Sequence, residues 1–193
     1  GKVLVVDADP HQSLSLLLGI ESQVNLGAVW RGNEQTLKTG QGLNGLSRRE
    51  FTRKLVQETL VPIEGADLLI MGHSKEPGCQ CVVNTLLGSA LDAIAQEYTL
   101  VVVDNEAGIE PLGRHLWPVD YLLLTSSPRQ LEIDVARQIL MRGKEVGRKI
   151  GFTGLLYNRF HPRQFFDPVY LPGTAVLGML PYSEQLEIEE KPD

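Results

Sequence analysis

Cysteine is nearly missing: the 193 residues contain two, Cys79 and Cys81. That is too few for the disulfide framework of a small secreted protein. Long hydrophobic runs are missing as well. No stretch approaches the ~20 apolar residues that cross a bilayer, and the first residues carry no signal-peptide pattern. An excess of basic charge is the third absence, since 18 Lys and Arg stand against 24 Asp and Glu, for a net charge of −6. An acidic chain has no general attraction for phosphate backbones, which disfavours nucleic acid as the main partner. The expectation is a soluble, cytoplasmic protein with neither nucleic acid nor a membrane as partner.

What is present is an ordinary globular composition, 42% hydrophobic and 22% charged. At roughly 150 residues per domain, the length fits a single domain over 1–193. Short β-branched runs recur at Val3–Val6, Leu68–Met71, Leu100–Val103, Tyr121–Thr125, Thr153–Tyr157 and Ala175–Leu180. Near-continuous apolar strands of this kind belong to a parallel sheet covered on both faces. Helical patterns lie between several of them. Leu131, Val135 and Ile139 form a stripe within Pro128–Val146, with Ser127 as its expected N-cap and Gln130 closing a capping box. Leu86, Ala90 and Ile94 mark a second helix over Val82–Glu97. The stretch between Ile20 and Gly65 is rich in glycine, and Ser47-Arg48-Arg49-Glu50 reads as a capping box opening a helix there. The fold class is therefore α/β, a doubly wound, mostly parallel sheet flanked by helices.

In that architecture ligands sit beyond the carboxyl ends of the strands. Two strands end in aspartate-led turns, Asp7-Ala8-Asp9-Pro10 and Asp104-Asn105-Glu106-Ala107-Gly108. Carboxylates there can hold magnesium-bound water, and Gly108 lets a backbone N–H approach a phosphate without a Cβ in the way. The same aspartates also suit turns and helix caps. His11 and His115 read as turn or cap residues, and Arg48, Arg49, Arg53 and Lys54 as the solvated face of a helix.

Val3-Leu4-Val5-Val6-Asp7-Ala8-Asp9-Pro10 resembles the second strand and switch I of the deviant-Walker ATPases, the MinD, ParA and nitrogenase iron-protein group. Val101-Val102-Val103-Asp104-Asn105-Glu106-Ala107-Gly108 resembles their Walker B strand and switch II. Leu155-Leu156-Tyr157-Asn158-Arg159 is similar to the later strand whose asparagine reads adenine, and Gly178-Met179-Leu180-Pro181-Tyr182 to the stretch beside the base. Within the group, Pro77-Gly78-Cys79-Gln80-Cys81 and the Asp104–Glu110 stretch resemble the CO dehydrogenase maturation ATPases of CooC type.

The resemblance implies an ATP-binding and hydrolysing dimeric switch that assists nickel-centre maturation of a client metalloenzyme, with ATP and Mg²⁺ as cofactors. It assigns Asp9 to the attacking water and Asp104 to magnesium-bound water. Gly108 falls at the γ-phosphate and Asn158 at adenine, and Asp7 and Pro181 join them among the cofactor-binding residues. Family phosphate loops of the form K-G-G-x-G-K-[ST] have no counterpart in these residues. The expectation is a P-loop NTPase-like domain truncated ahead of Gly1, binding ATP poorly without that loop.

Cys79 and Cys81, two residues apart, could grip one soft metal ion. Two copies of the pair would complete a four-sulfur Zn²⁺ or Ni²⁺ site across a homodimer, as the resemblance also implies. A pair of small buried hydrophobes, a local disulfide, and a one-chain site with His73 are the alternatives. At the level of function, the alternatives are a non-enzymatic metal- or protein-binding scaffold and a ParA/MinD-type partitioning ATPase.

Overall fold

The apolar run that opens the chain becomes β1 (Val3–Ala8), about which the first half is built. The structure, a computed structural model, describes residues 1–20, 24–72, 81–108, 119–145, 149–161 and 171–185. The chain divides into two compact units, 1–107 and 108–193.

In the first unit β1 lies between β3 (Ala66–Ile70) and β4 (Leu100–Asn105), parallel to both. Burial on both faces explains the unbroken apolar sequences: Leu4, Val6, Leu68, Leu69 and Ile70 are all fully buried. A short β2 (Val61–Ile63) adds antiparallel to β3, giving the order β2-β3-β1-β4. Only three residues long and containing Pro62, β2 has no pattern that marks it as a strand in sequence.

The helices of this unit are α1 (Ser13–Leu17), α2 (Leu26–Thr39), α3 (Arg48–Gln57) and α4 (Cys81–Ile94). The Ser47–Glu50 capping box forms as the sequence predicts, Ser47 Oγ accepting from the Glu50 N–H and Glu50 from the Ser47 N–H. Helix α4 ends at Ile94 and tightens into a 3₁₀ turn over Ala95–Glu97, the last residues of the expected helix.

The second unit is a parallel sheet, β5 (Val119–Ser126), β6 (Ile150–Phe160) and β7 (Ala175–Pro181), in that order. Helix α5 (Gln130–Glu145) packs Ile133, Ala136 and Leu140 against Leu124, Leu155 and Tyr157 of one sheet face. It starts two residues later than a Pro128 start requires, and Gln130 does not close the cap. Glu132 reaches back instead, its Oε2 accepting from the Ser127 N–H at 2.8 Å. A carboxylate makes the stronger, charge-assisted bond, while Gln130 donates to Asp134 at 3.1 Å.

At the amino-terminal edge of the first sheet, Lys2 Nζ lies 2.8 Å from Asp67, and the Tyr98 hydroxyl donates to the same carboxylate at 2.7 Å. Hydrogen bonds from Lys2 and then Tyr98 hold the Asp67 carboxyl below its ordinary value of 3.8, against an opposing effect of burial. A carboxylate with a depressed folded-state pKa stabilises above its unfolded value and loses that contribution as pH falls through the folded one. Asp67→Asn is therefore expected to lower the melting temperature at neutral pH. Thermal melts in an acid series should show the gap to the unchanged protein closing only below the ordinary value of 3.8.

Candidate functional site

The carboxyl edge of the first sheet gathers three aspartates. Asp7 on β1 is the in-register partner of Asp104 on β4, so the two side chains leave the same face of adjacent parallel strands. Asp9 follows in the turn after β1. Its carbonyl accepts from the Gln12 N–H at 3.0 Å, and its Oδ1 accepts from the His11 N–H at 2.8 Å, an Asx turn with Pro10 as its second residue.

Each carboxylate has a different environment. Asp7 is fully buried and caps α1: its Oδ2 accepts from the Ser15 N–H at 2.9 Å and the Ser15 hydroxyl at 2.6 Å. Asp9 Oδ2 accepts from the Ser13 hydroxyl at 2.6 Å. Burial works to raise the Asp9 pKa, but the bonds from Ser13 and from the His11 backbone and ring outweigh it and leave it below its ordinary value. Asp104 goes the other way. Partial burial pushes its carboxyl up, and the negative charges of Asp7 and Asp9 add to the effect. Asp104 is thus a hard oxygen donor whose ionised form a divalent cation such as Mg²⁺ would relieve of its neighbours' charge, a single carboxylate and not a three-carboxylate cage.

Two neighbouring features were not singled out in the sequence. Ser13 and Ser15 alternate directly behind Asp9-Pro10, which places both hydroxyls within reach of the strand-end carboxylates. The start of α2 is joined to the end of β3: the Gly27 N–H donates to the Met71 carbonyl at 3.0 Å, and the Met71 N–H donates to the Asp7 carbonyl at 2.9 Å. Gly72 has φ +73°, and a Cβ there would collide with the Asn25 side chain, which caps α2. Only glycine satisfies both conditions.

In the second unit Asn158 and Pro181 lie at the carboxyl ends of β6 and β7. The pairing runs Tyr157 with Met179 and then Phe160 with Pro181, so β6 carries one extra residue at Asn158–Arg159. This is a β-bulge, with Arg159 at φ +58° and Asn158 Oδ1 accepting from the Arg159 N–H at 2.9 Å. Gly108, also in this unit, has φ +112° and open space where a Cβ would stand. Cys79, His73 and His115 lie outside the described residues, and of Cys81 only its place at the start of α4 is described. Among the described residues no group of three or more His, Cys, Asp or Glu is arranged to hold a metal ion. Nor, among them, is any helix long and apolar enough to cross a membrane.

No protein-family model matches the chain. Among solved structures it resembles a ParA family ATPase from Chlorobium tepidum TLS, with a TM-score of 0.61 at 18% identity over 97% of this chain and 74% of that one. A plasmid partition protein from Borrelia burgdorferi gives 0.53 at 15% identity, over 95% of this chain and 78% of that one. The fold is that of the P-loop ATPases of the ParA type. In sequence, an uncharacterized ATP-binding protein of Methanocaldococcus jannaschii is 29% identical over 188 residues, 95% of this chain and 74% of that protein. A second ATP-binding protein of the same organism is 28% identical over 196 residues. The carbon monoxide dehydrogenase accessory protein CooC of Rhodospirillum rubrum is 29% identical over 166 residues, 77% of this chain and 60% of that protein. The chain is thus related to the deviant-Walker P-loop ATPases, and CooC is among its relatives.

Proposed function

We propose that this protein binds and hydrolyses ATP as a dimeric switch in the maturation of a metal centre, nickel above all, on a client enzyme. The observation that carries the reading is the in-register pair Asp7 and Asp104 at the carboxyl edge of one parallel sheet, with Asp9 in the following turn. ATP-binding relatives, CooC included, support the nucleotide and suggest the client class. Residues 1–193 are taken as part of one nucleotide-binding domain.

Magnesium, when bound, supplies positive charge to the phosphates and to the leaving oxygen. The chain's own contribution is positional. Asp104, its carboxyl raised by partial burial and by its neighbours, is the carboxylate with most to gain from a cation. Asp9, held ionised at neutral pH and fixed by Ser13 and His11, is an acceptor able to orient an attacking water. Gly108 has open space where a Cβ would stand, and Asn158 carries an exposed amide suited to a base. The protein is expected to release phosphate from ATP in a Mg²⁺-dependent manner; absence of turnover would refute the enzymatic reading.

The cargo metal is assigned to Cys79 and Cys81. Elemental analysis is expected to find one Zn²⁺ or Ni²⁺ per two chains, lost on Cys79→Ser. Retention of the full metal content by that variant would remove the assignment.

A further inference from the structure

Among the described residues, the second unit has a helix on one side of its sheet and none on the other. Side chains alternate along a strand. Leu122 and Leu124 of β5 and Leu155 and Tyr157 of β6 therefore pack toward α5, and their neighbours point the opposite way. On that opposite side Tyr121 is 77% exposed, Leu123 55%, Phe152 43% and Leu177 54%. These four adjoin one another. The register sets Tyr121 beside Phe152, with ring centroids 6.1 Å apart, and Leu123 beside Gly154. A Cβ on Gly154 would collide with the Leu177 side chain, so Leu177 lies over the glycine that pairs with Leu123. Thr125, Leu156 and Ala175 continue the same side. None of these residues carries a charge, in a chain that is 22% charged.

Parallel sheets are covered on both sides. The four large residues together expose on the order of 500 Å², the size of apolar patch that marks an interaction site. Set against its own copy, the face would bury about 1,000 Å² from these side chains alone, the area a specific interface must clear. The absence of charge points to the same occupant. In a two-fold contact each residue near the axis meets itself, so a charged patch would repel its copy, and an uncharged one can face itself. A strongly acidic or basic partner finds nothing here to pair with. We propose that this face joins two copies of the chain, the sheets stacked about a two-fold axis with Tyr121, Leu123, Phe152 and Leu177 at the centre. Sheets packed in this way lie about 10 Å apart, their side chains interdigitating. The proposal gives the dimer of the ATPase reading a surface, and the contact itself requires neither nucleotide nor metal.

Sedimentation equilibrium of the 193-residue chain, without nucleotide or added metal, is expected to give the mass of two chains. Tyr121→Lys and Leu177→Lys each place a charge opposite its own copy and should weaken association about a hundredfold or more. Both side chains are more than half exposed in the single chain, so neither change should disturb the fold, and circular dichroism checks this. Leu131→Lys, at an equally exposed position on α5, should leave the mass at two chains. A chain that sediments as a monomer at every concentration would leave the face to a different partner and overturn the proposal. A dimer that survives Tyr121→Lys and Leu177→Lys combined would overturn it too. ATP turnover of the unchanged protein is measured separately, so the interface can fail while the ATP reading stands, and the reverse.

Discussion

Asp104→Asn is expected to cut ATP turnover by about a hundredfold or more while raising thermal stability slightly, a divergence that a merely structural residue would not give. Loss of turnover follows from removing the charge that would hold the cation against the phosphates. The stability gain follows from the environment. Partial burial and the charges of Asp7 and Asp9 raise the Asp104 pKa above its ordinary 3.8. A carboxyl with a raised folded-state pKa binds its proton more tightly folded than unfolded, so its ionised form weakens the fold above the folded pKa. That penalty disappears as pH falls below the unfolded value. Asn is neutral at every pH and never incurs it. The variant should melt up to about 2 °C higher at neutral pH, a small gain because the carboxyl is partly solvated. In melts at successively lower pH the gain should vanish as the ordinary carboxylate range is reached. Unaltered turnover in Asp104→Asn would remove Asp104 from the site.

How much of this was readable before the structure differs from element to element. The strands of the two parallel sheets were legible from their apolar runs, although only the inner ones follow the rule of burial on both faces: β3 buries Leu68, Leu69 and Ile70 in succession, whereas Leu100 and Val102 of the edge strand β4 are exposed. The strands outrun their apolar residues, β1 extending to Ala8 and β6 running from Ile150 to Phe160. The pairing continues past the apolar residues because backbone hydrogen bonding does not depend on what the side chains are. Asp7, Asp9 and Asp104 stood out as strand-end carboxylates. Their different environments did not. Asp7 caps α1 by accepting from a serine eight positions away, a contact set by how α1 folds back on β1, and no local spacing encodes it. Neither does any residue type announce the bulge at Asn158, which is a difference in count between β6 and β7. The exchange of Gln130 for Glu132 at the start of α5 has the same origin: two acceptors stood close in sequence, and three-dimensional reach chose between them.

Asp7→Ala should be the most destabilising single change at this edge. Helix α1 has Gln12 at its N-cap position, with φ 56° and no side-chain hydrogen bond to the helix. The first N–H groups of any helix lack intrahelical partners, and here the Ser15 N–H is satisfied by Asp7 from the neighbouring strand. Removing the carboxylate strands that N–H and the buried Ser15 hydroxyl together. Loss of a cap costs about 1 kcal/mol, and buried groups left unpaired cost about 1–3 kcal/mol more. Relief of repulsion with Asp104 returns part of this, so a net loss of about 2–3 kcal/mol is expected. In a domain of this size that lowers the melting temperature by about 5–10 °C. Asp7→Asn, which keeps an acceptor oxygen, should fall well short of that, and Ser15→Ala should lose only the hydroxyl bond. Amide hydrogen exchange locates the damage: the N–H groups of Ser15 and Leu16 should lose protection in Asp7→Ala, while those of Val5 and Leu69 in the sheet exchange as slowly as the lowered global stability permits. If the two sets lose protection equally, Asp7 serves the sheet as a whole and not α1, and the carboxylate would be free to turn toward a cation without unfastening the helix.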